Sequence, residues 1–382
     1  MSVRVVVTGI GLVSALGPSL AGSWQSLKEG RTAIALRQPF PELPPYPLAM
    51  GDRTPVRWLD LSCQVVAQAI RDAELTLPLP ESGVVVGSSR SAQGEWERYA
   101  RVQQLGKPLD LSADAWFESL PHAAAIATAR QIGACGPVLA PMAACATGIW
   151  AIARAVELIR TGRCQRAIAG AVEAPITPLT LTGFSRMGAL ARHYCAPFDR
   201  ARDGLVLGEG AAIFVLESAE LAYRRHARIY GEIVSFGLTA DAYHGNAPDP
   251  EAKGAIAAID RCLDLARWSP EAIGYIHAHG TSTRLNDATE ARIIQQRFAP
   301  DLPVSSTKGA TGHTLGASGA LGTAFCLMAL HDGLLPPCVG LRDPEFDLNF
   351  VRHPLKRAID RALCFSFGFG GQNAVLAIGK LR

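Results

Sequence analysis

Apolar positions recur along this chain with two periods, and the two alternate. Residues 3–8 (Val-Arg-Val-Val-Val-Thr), rich in β-branched residues, predict a buried strand, and residues 83–89 (Gly-Val-Val-Val-Gly-Ser-Ser) predict a second that runs into a loop. Helical spacing predicts helices over 59–75, 112–132 and 148–160, with a short strand over 164–173. Between the first strand and the first of these helices, residues 39–55 hold six prolines, which predicts an irregular surface connection. Strand and helix in alternation mean a layered α/β fold.

The second half of the chain repeats the first. Residues 131–153 and 309–331 are two segments of equal length without formal charge, each running from small residues into a helix, the second over 320–330. Gly208-Glu209-Gly210-Ala211-Ala212-Ile213-Phe214-Val215-Leu216 resembles Gly368-Phe369-Gly370-Gly371-Gln372-Asn373-Ala374-Val375-Leu376, and 230–238, like 3–12, is a strand rich in glycine at its end. These correspondences predict two halves, 1–228 and 229–382, whose equivalent loops meet in one site.

Composition narrows the class. The 382 residues are 48% hydrophobic and 19% charged with a formal net charge of +3, which fits a folded globular protein and is too mildly basic, with Lys and Arg too scattered, for a nucleic-acid partner. Nine cysteines at irregular spacing, without a CxxC pair, suit free thiols in a reducing compartment. The first eleven residues lack the signal-peptide succession, and Gly, Pro, Thr and His break the charge-free segments before they could span a bilayer, so a cytoplasmic location is expected.

Four features carry chemistry. Gly9-Ile10-Gly11-Leu12-Val13-Ser14 follows a strand but has Ser14 where a dinucleotide fingerprint has its third glycine, a weak signal. Cys145, in Ala143-Ala144-Cys145-Ala146-Thr147-Gly148, stands just before a helix, where unpaired N–H groups favour a thiolate; an inert core cysteine is the alternative. His277 and His279 form an HxH pair that would suit a metal only with further ligands, which Asp287 and Glu290 supply in part; one histidine serving Cys145 is the more economical use. Lys308 and His313 open the second charge-free segment, where a buried ammonium needs a partner, Glu290 or Asp287. One thiol, two imidazoles and one ammonium suit thioester chemistry.

With these motifs in family order over nearly the whole chain, the sequence resembles the β-ketoacyl-[acyl carrier protein] synthases of the class II condensing-enzyme type. The motifs are Ala143 to Gly148, Pro197-Phe198-Asp199 with Arg202-Asp203-Gly204 and Gly208-Glu209-Gly210, Ala278-His279-Gly280-Thr281-Ser282-Thr283, Ser306-Thr307-Lys308 with Gly312-His313, and Ser366-Phe367-Gly368-Phe369-Gly370-Gly371. The resemblance implies a thiolase-like duplicated βαβαβ core layered α-β-α-β-α, a homodimer, acyl carrier protein as partner, and no metal or organic cofactor, phosphopantetheine entering on the carrier.

It also implies roles. Cys145 would take the acyl group, with the backbone N–H groups of Cys145 and Phe369 as oxyanion hole. His279 and His313 would assist decarboxylation of malonyl-carrier, and Lys308 would fix His313. Thr281 and Thr283 would hold the pantetheine arm, Phe184 and Phe369 would gate the acyl pocket, and Asp287 and Glu290 would stand behind the histidines. Arg57, with Arg186 nearby, would meet the carrier. Arg90 lies where an apolar pocket residue is usual. His277 stands where the family often has asparagine, and Gly322 where a glutamate often follows the His313 glycine run. Two readings from other classes are a chain-length-determining partner subunit, expected to lack the nucleophile, and a metal-dependent hydrolase using His277 and His279.

Overall fold

The computed structural model describes residues 3–109 and 111–381; Met1 and Arg382, the outer ends of the two expected halves, lie outside them. Among the described residues ten strands form one sheet: β1 Val5–Ser14, β2 Gly83–Gly87, β3 Val138–Leu139, β4 Arg166–Glu173, β5 Gly210–Ser218, β6 Gly231–Ala240, β7 Tyr275–His277, β8 Val304–Ser305, β9 Arg361–Gly368 and β10 Gln372–Gly379. The order across it is β8-β7-β9-β10-β6-β1-β5-β4-β2-β3. Each set of five repeats the same pairing: β2 lies parallel between β3 and β4, as β7 does between β8 and β9, while β4-β5-β1 and β9-β10-β6 run antiparallel. The sets join where β1 meets β6, through Val6 opposite Glu232 and Val7 opposite Gly231.

Side-chain alternation along the strands assigns the faces. Val84 and Val86 of β2, with Ile213 and Val215 of β5, pack outward on helices α1 (Trp58–Asp72) and α2 (Ala123–Ile132). Val85, Phe214 and Leu216 point the other way, into a core shared with α3 (Thr147–Arg160) and a second central helix, Ser318–Asp332. Leu363 and Phe365 of β9 face the outer helices α4 (Lys253–Ala266) and α5 (Arg284–Arg297), whereas Ala362 and Cys364 face inward. The result is α-β-α-β-α. The helix Ser318–Asp332, labelled α6, is apolar and buried on nearly all sides because it lies between the two five-stranded sets of the sheet.

Three expectations change. The weak dinucleotide fingerprint at 9–14 is strand throughout: β1 runs through both glycines to Ser14, and α1 packs so closely that a Cβ on Gly11 would sit 1.9 Å from the Val65 carbonyl oxygen. Gly237 of β6 meets α4 in the same way, at 1.7 Å from the Ala258 carbonyl oxygen, so this is a repeated helix-on-strand contact rather than a phosphate loop. The helix expected over 112–132 is two, Ala113–Glu118 and α2, because Pro121 lacks an N–H and restricts Leu120. The Pro-rich connection contains a buried strand, Tyr46–Ala49, whose backbone pairs with Ile34–Arg37 on one side and Leu207–Gly208 on the other.

The two central helices touch through Gly148, where an added Cβ would lie 2.6 Å from the Ala320 nitrogen. Gly148→Ala should therefore lower the denaturant midpoint, with a loss of about 1–3 kcal/mol from overpacking. Gly183→Ala, at a helical position whose Cβ would meet nothing within 4 Å, serves as control and should not lower it. Equal midpoints for the two variants would show that the central contact yields freely.

Candidate active site

Cys145 lies on the short turn that leads into α3. Ala144 holds the left-handed conformation, with φ 47°, which costs a residue with a side chain about 1–2 kcal/mol. The turn is braced on both sides. The Thr147 hydroxyl accepts the Ala143 N–H at 2.9 Å and donates to the Ala144 carbonyl at 2.7 Å, and Ser366 on β9 donates to the Cys145 carbonyl at 2.9 Å. The close approach of Gly368, whose Cβ would fall 2.9 Å from the Cys145 nitrogen, brings the Phe369 N–H to the thiol as a hydrogen-bond donor.

From the other half come the imidazoles. β7 ends at His277, and the chain turns so that His279 meets His313 at 5.3 Å between ring centres, edge to face. One potential ligand atom each from Cys145, His279 and His313 lie within 4.8 Å of one another, all buried. Glu290 on α5 fixes the turn by accepting the N–H groups of His279 and Gly280 at 2.6 and 2.7 Å. Asp287 does the same one step out, accepting from Phe198 and Ser282 and pairing with the buried Arg202 at 3.4 Å.

Lys308 differs from expectation. Its ammonium pairs with neither Glu290 nor Asp287, and it positions His279, not His313: it donates to the His279 carbonyl and lies 3.3 Å from His279 Nδ1. The carboxylates are occupied by backbone N–H groups, which leaves the ammonium to the imidazole side. Since an ammonium can only donate, Nδ1 is the acceptor and the His279 proton sits on Nε2. Burial, reinforced by Lys308, drives both His279 and His313 well below the ordinary histidine range, so both rings are neutral. His313 Nδ1 is buried without a hydrogen-bond partner.

The thiol also differs. A helix N-terminus was expected to favour the thiolate, but burial pushes Cys145 up to about 11, against the pull of Lys308 and the Phe369 N–H. The sulfur sits ahead of the first helical residue in an apolar pocket with Leu181, Phe184 and Leu315, and loss of hydration there outweighs the dipole. The resting group is a thiol.

A cavity of about 300 Å³ reaches this cluster. Thr281 and Thr283 line it, their hydroxyls 2.9 Å apart, and the Phe184 and Phe369 rings stack at 5.9 Å across it. His277 stands apart: its Nε2 meets the Thr307 hydroxyl at 3.1 Å and its ring lies beside Cys364. It is not paired with His279 around a common point, which removes the geometry a two-histidine metal site would need. The two unusual positions prove to be neighbours, since a Cβ on Gly322 would lie 2.8 Å from the His277 ring. The imidazole fills the space that a side chain at 322 would take.

Glu173 escaped sequence reasoning. Fully buried at the end of β4, it accepts from the Ser88 and Ser89 hydroxyls and from the N–H groups of Ser89, Arg90 and Gly316, all at 2.6–2.9 Å. Its one signal was an acid closing an otherwise apolar strand. It joins the 88–90 turn to the loop after His313, one from each half.

Known proteins resemble this chain in sequence and fold. The family model "Beta-ketoacyl synthase, N-terminal domain" matches residues 53–222, and "Beta-ketoacyl synthase, C-terminal domain" matches 230–342. A 3-oxoacyl-[acyl-carrier-protein] synthase 2 of Synechocystis sp. is 38% identical, over 99% of this chain and 98% of its own, and that of Coxiella burnetii is 35% identical over 99% of each. Among solved structures, a type II PKS acyl-carrier protein in complex with its ketosynthase bound to the hexaketide aligns with TM-score 0.93 at 28% identity over 100% of both chains. A β-ketoacyl synthase from Burkholderia phymatum aligns with TM-score 0.91 at 29% identity, again over 100% of both. A thiol and two imidazoles brought together from two repeated halves, and family matches that span both, have one reading: this chain belongs to the β-ketoacyl synthase family.

Proposed function

We propose that the chain is a β-ketoacyl-[acyl carrier protein] synthase serving fatty-acid, glycolipid or polyketide synthesis. The observation that carries this is the cluster of one thiol and two neutral imidazoles within 4.8 Å in a buried cavity. Cys145 exchanges its thiol proton for the acyl group of a carrier thioester, releasing the carrier thiol. Malonyl-carrier then loses carbon dioxide, and the resulting enolate attacks the acyl-cysteine carbonyl, breaking the C–S bond to give 3-oxoacyl-carrier and the Cys145 thiolate, which takes up a proton from solvent to restore the thiol. The N–H groups of Cys145 and Phe369 receive the oxyanion in the acyl steps. His279 and His313, being neutral, donate to the thioester oxygen of malonyl-carrier as the enolate forms. With Lys308 holding Nδ1 of His279, the donor is Nε2.

Other parts of the reading follow from the same geometry. The halves 1–228 and 229–382 are the products of a duplication, supported by identical strand order on either side of β1 and β6. The chain works as a homodimer, supported by the open edge at β3 and by large apolar side chains left exposed on this half, Trp96, Trp116, Phe117 and Met142. Thr281 and Thr283 hold the pantetheine arm, and the stacked Phe184 and Phe369 close over the acyl group and keep water from the thioester. No metal or organic cofactor is needed for these steps. The nine cysteines are unpaired, which suits the cytoplasm, and no helix among the described residues is long and apolar enough to cross a membrane. Carrier-bound substrate is supported by the relatives named 3-oxoacyl-[acyl-carrier-protein] synthase 2.

Cys145→Ala should abolish acyl loading and condensation, because no covalent intermediate can form. Cys145→Gln, which resembles the acylated residue in shape, should still release carbon dioxide from malonyl-carrier. Condensation by the alanine variant at the wild-type rate would falsify the proposal.

Because the thiol titrates near 11, its thiolate fraction at neutral pH is small and grows about tenfold per pH unit below that value. Alkylation of Cys145 by iodoacetamide, followed on its tryptic peptide, should rise along that slope from pH 7 to pH 9. A plateau below pH 8 would mean a preformed thiolate.

Arg57 is solvent-exposed and faces Asp60 at 4.0 Å, a weak surface pair that leaves its charge available to an acidic carrier, as does the exposed Arg186. Arg57→Glu should raise KM for acyl-carrier roughly threefold to tenfold at low salt and leave loading from a small thioester unchanged. An equal effect on both substrates would place the damage in the fold or the chemistry.

A further inference from the structure

A cation stands beside the apolar cluster that holds Cys145, and no ion pair among the described residues neutralises it. Cys145, Ile176, Leu181, Phe184 and Leu315 form an apolar cluster, and the Arg90 guanidinium lies over its Phe184 ring, 5.6 Å from the ring centre. Arg90 is partly buried and its Nε is fully so, yet Nε has no hydrogen-bond partner and no carboxylate among the described residues pairs with the guanidinium. It is close enough to the thiol for its charge to favour the Cys145 thiolate.

The position is built rather than accidental. Glu173 takes the Arg90 N–H at 2.9 Å and holds Ser88 and Ser89 as well, and the next residue, Ser91, is kept in the left-handed region at φ 48° by its N–H bond to the Ser88 hydroxyl at 2.7 Å. Glu173 is engaged by the Ser88 and Ser89 hydroxyls and by backbone N–H groups, and it forms no ion pair with the Arg90 guanidinium. A guanidinium cannot shed its proton, and leaving its buried Nε N–H unpaired beside apolar surface is costly. Stacking on Phe184 offsets part of that cost and fixes the plane of the fork, but supplies no acceptor.

We propose that Arg90 determines acyl specificity, and that the preferred acyl group carries an oxygen acceptor, a carboxylate or a ketone, which the Arg90 fork binds; this rests on the condensing-enzyme reading above. A saturated hydrocarbon chain would pass the cation without compensating it. An oxygen on the chain accepts from the guanidinium in a site where few waters compete.

The test uses acyl-carrier thioesters of equal chain length that end in methyl, ketone or carboxylate, with the Cys145 adduct followed by intact mass. Wild type should load at least one oxygenated chain about tenfold faster than the methyl-ended one, and the ketone and carboxylate arms decide which oxygen is preferred. Arg90→Met should erase that ratio and raise loading of the methyl-ended chain, while Arg90→Lys, which keeps the charge without the fork, should retain part of it. Equal loading of all three chains by wild type, with the ratio unchanged in Arg90→Met, overturns the proposal while leaving Cys145 as the acyl acceptor. A change in dimer dissociation without a change in the ratio assigns Arg90 to the subunit contact and overturns it too. Absence of any Cys145 adduct from all three chains removes the condensing-enzyme reading together with this one.

Discussion

Lys308 is buried, bonded to the His279 carbonyl and 3.3 Å from His279 Nδ1, and its charge acts on Cys145, His279 and His313. It presses His279 and His313 further toward the neutral state that burial already favours, and draws Cys145 down from the value that burial alone would set. An ammonium paired directly with Glu290 would lose much of this field. The protein avoids that by engaging the Glu290 carboxylate with the N–H groups of His279 and Gly280. One carboxylate thus shapes the turn, and the ammonium remains free to shape the electrostatics.

That field has reach because Cys145, His279, Lys308 and His313 are buried, and they are buried because two halves close over them. The nucleophile turn precedes α3 and the His313 loop precedes α6, and these helices form the layer between the two five-stranded sets of the sheet. Gly148 lets them meet backbone to backbone. The same packing brings Gly316 to Glu173, so a carboxylate at the end of β4 links the loop of the second half to the Ser88–Arg90 turn of the first. Distances between groups from different halves are then set by the rigid middle of the molecule, not by the loops that carry them.

The two unusual positions, His277 and Gly322, illustrate how packing resolves a puzzle that sequence poses. Taken singly, one looks like an extra imidazole and the other like a lost carboxylate. In the fold they occupy the same volume: the imidazole lies where a side chain at 322 would be, and is tethered by Thr307, the residue before Lys308. A large residue at 277 and none at 322 preserve the packing density that a buried site requires.

Much was legible in the residues themselves. Alternating periods gave the α/β layers, the paired charge-free segments gave the two central helices, and motifs in order gave Cys145, His279 and His313, because local pattern and residue chemistry are properties of the chain. Local pattern failed where a distant element decided the outcome. Gly9 and Gly11 resembled a weak dinucleotide fingerprint until α1 was seen packed on them; 46–49 read as a Pro-rich connection until Leu207–Gly208 was seen pairing with it. The thiol's affinity for its proton, the partner of Lys308, and the presence of Arg90 over Phe184 were likewise decided in three dimensions. Desolvation and charge depend on what surrounds a group from all sides, and those surroundings are assembled from residues far apart in the chain, so the sequence named the chemical groups and the tertiary structure set their charge state, tautomer and contacts.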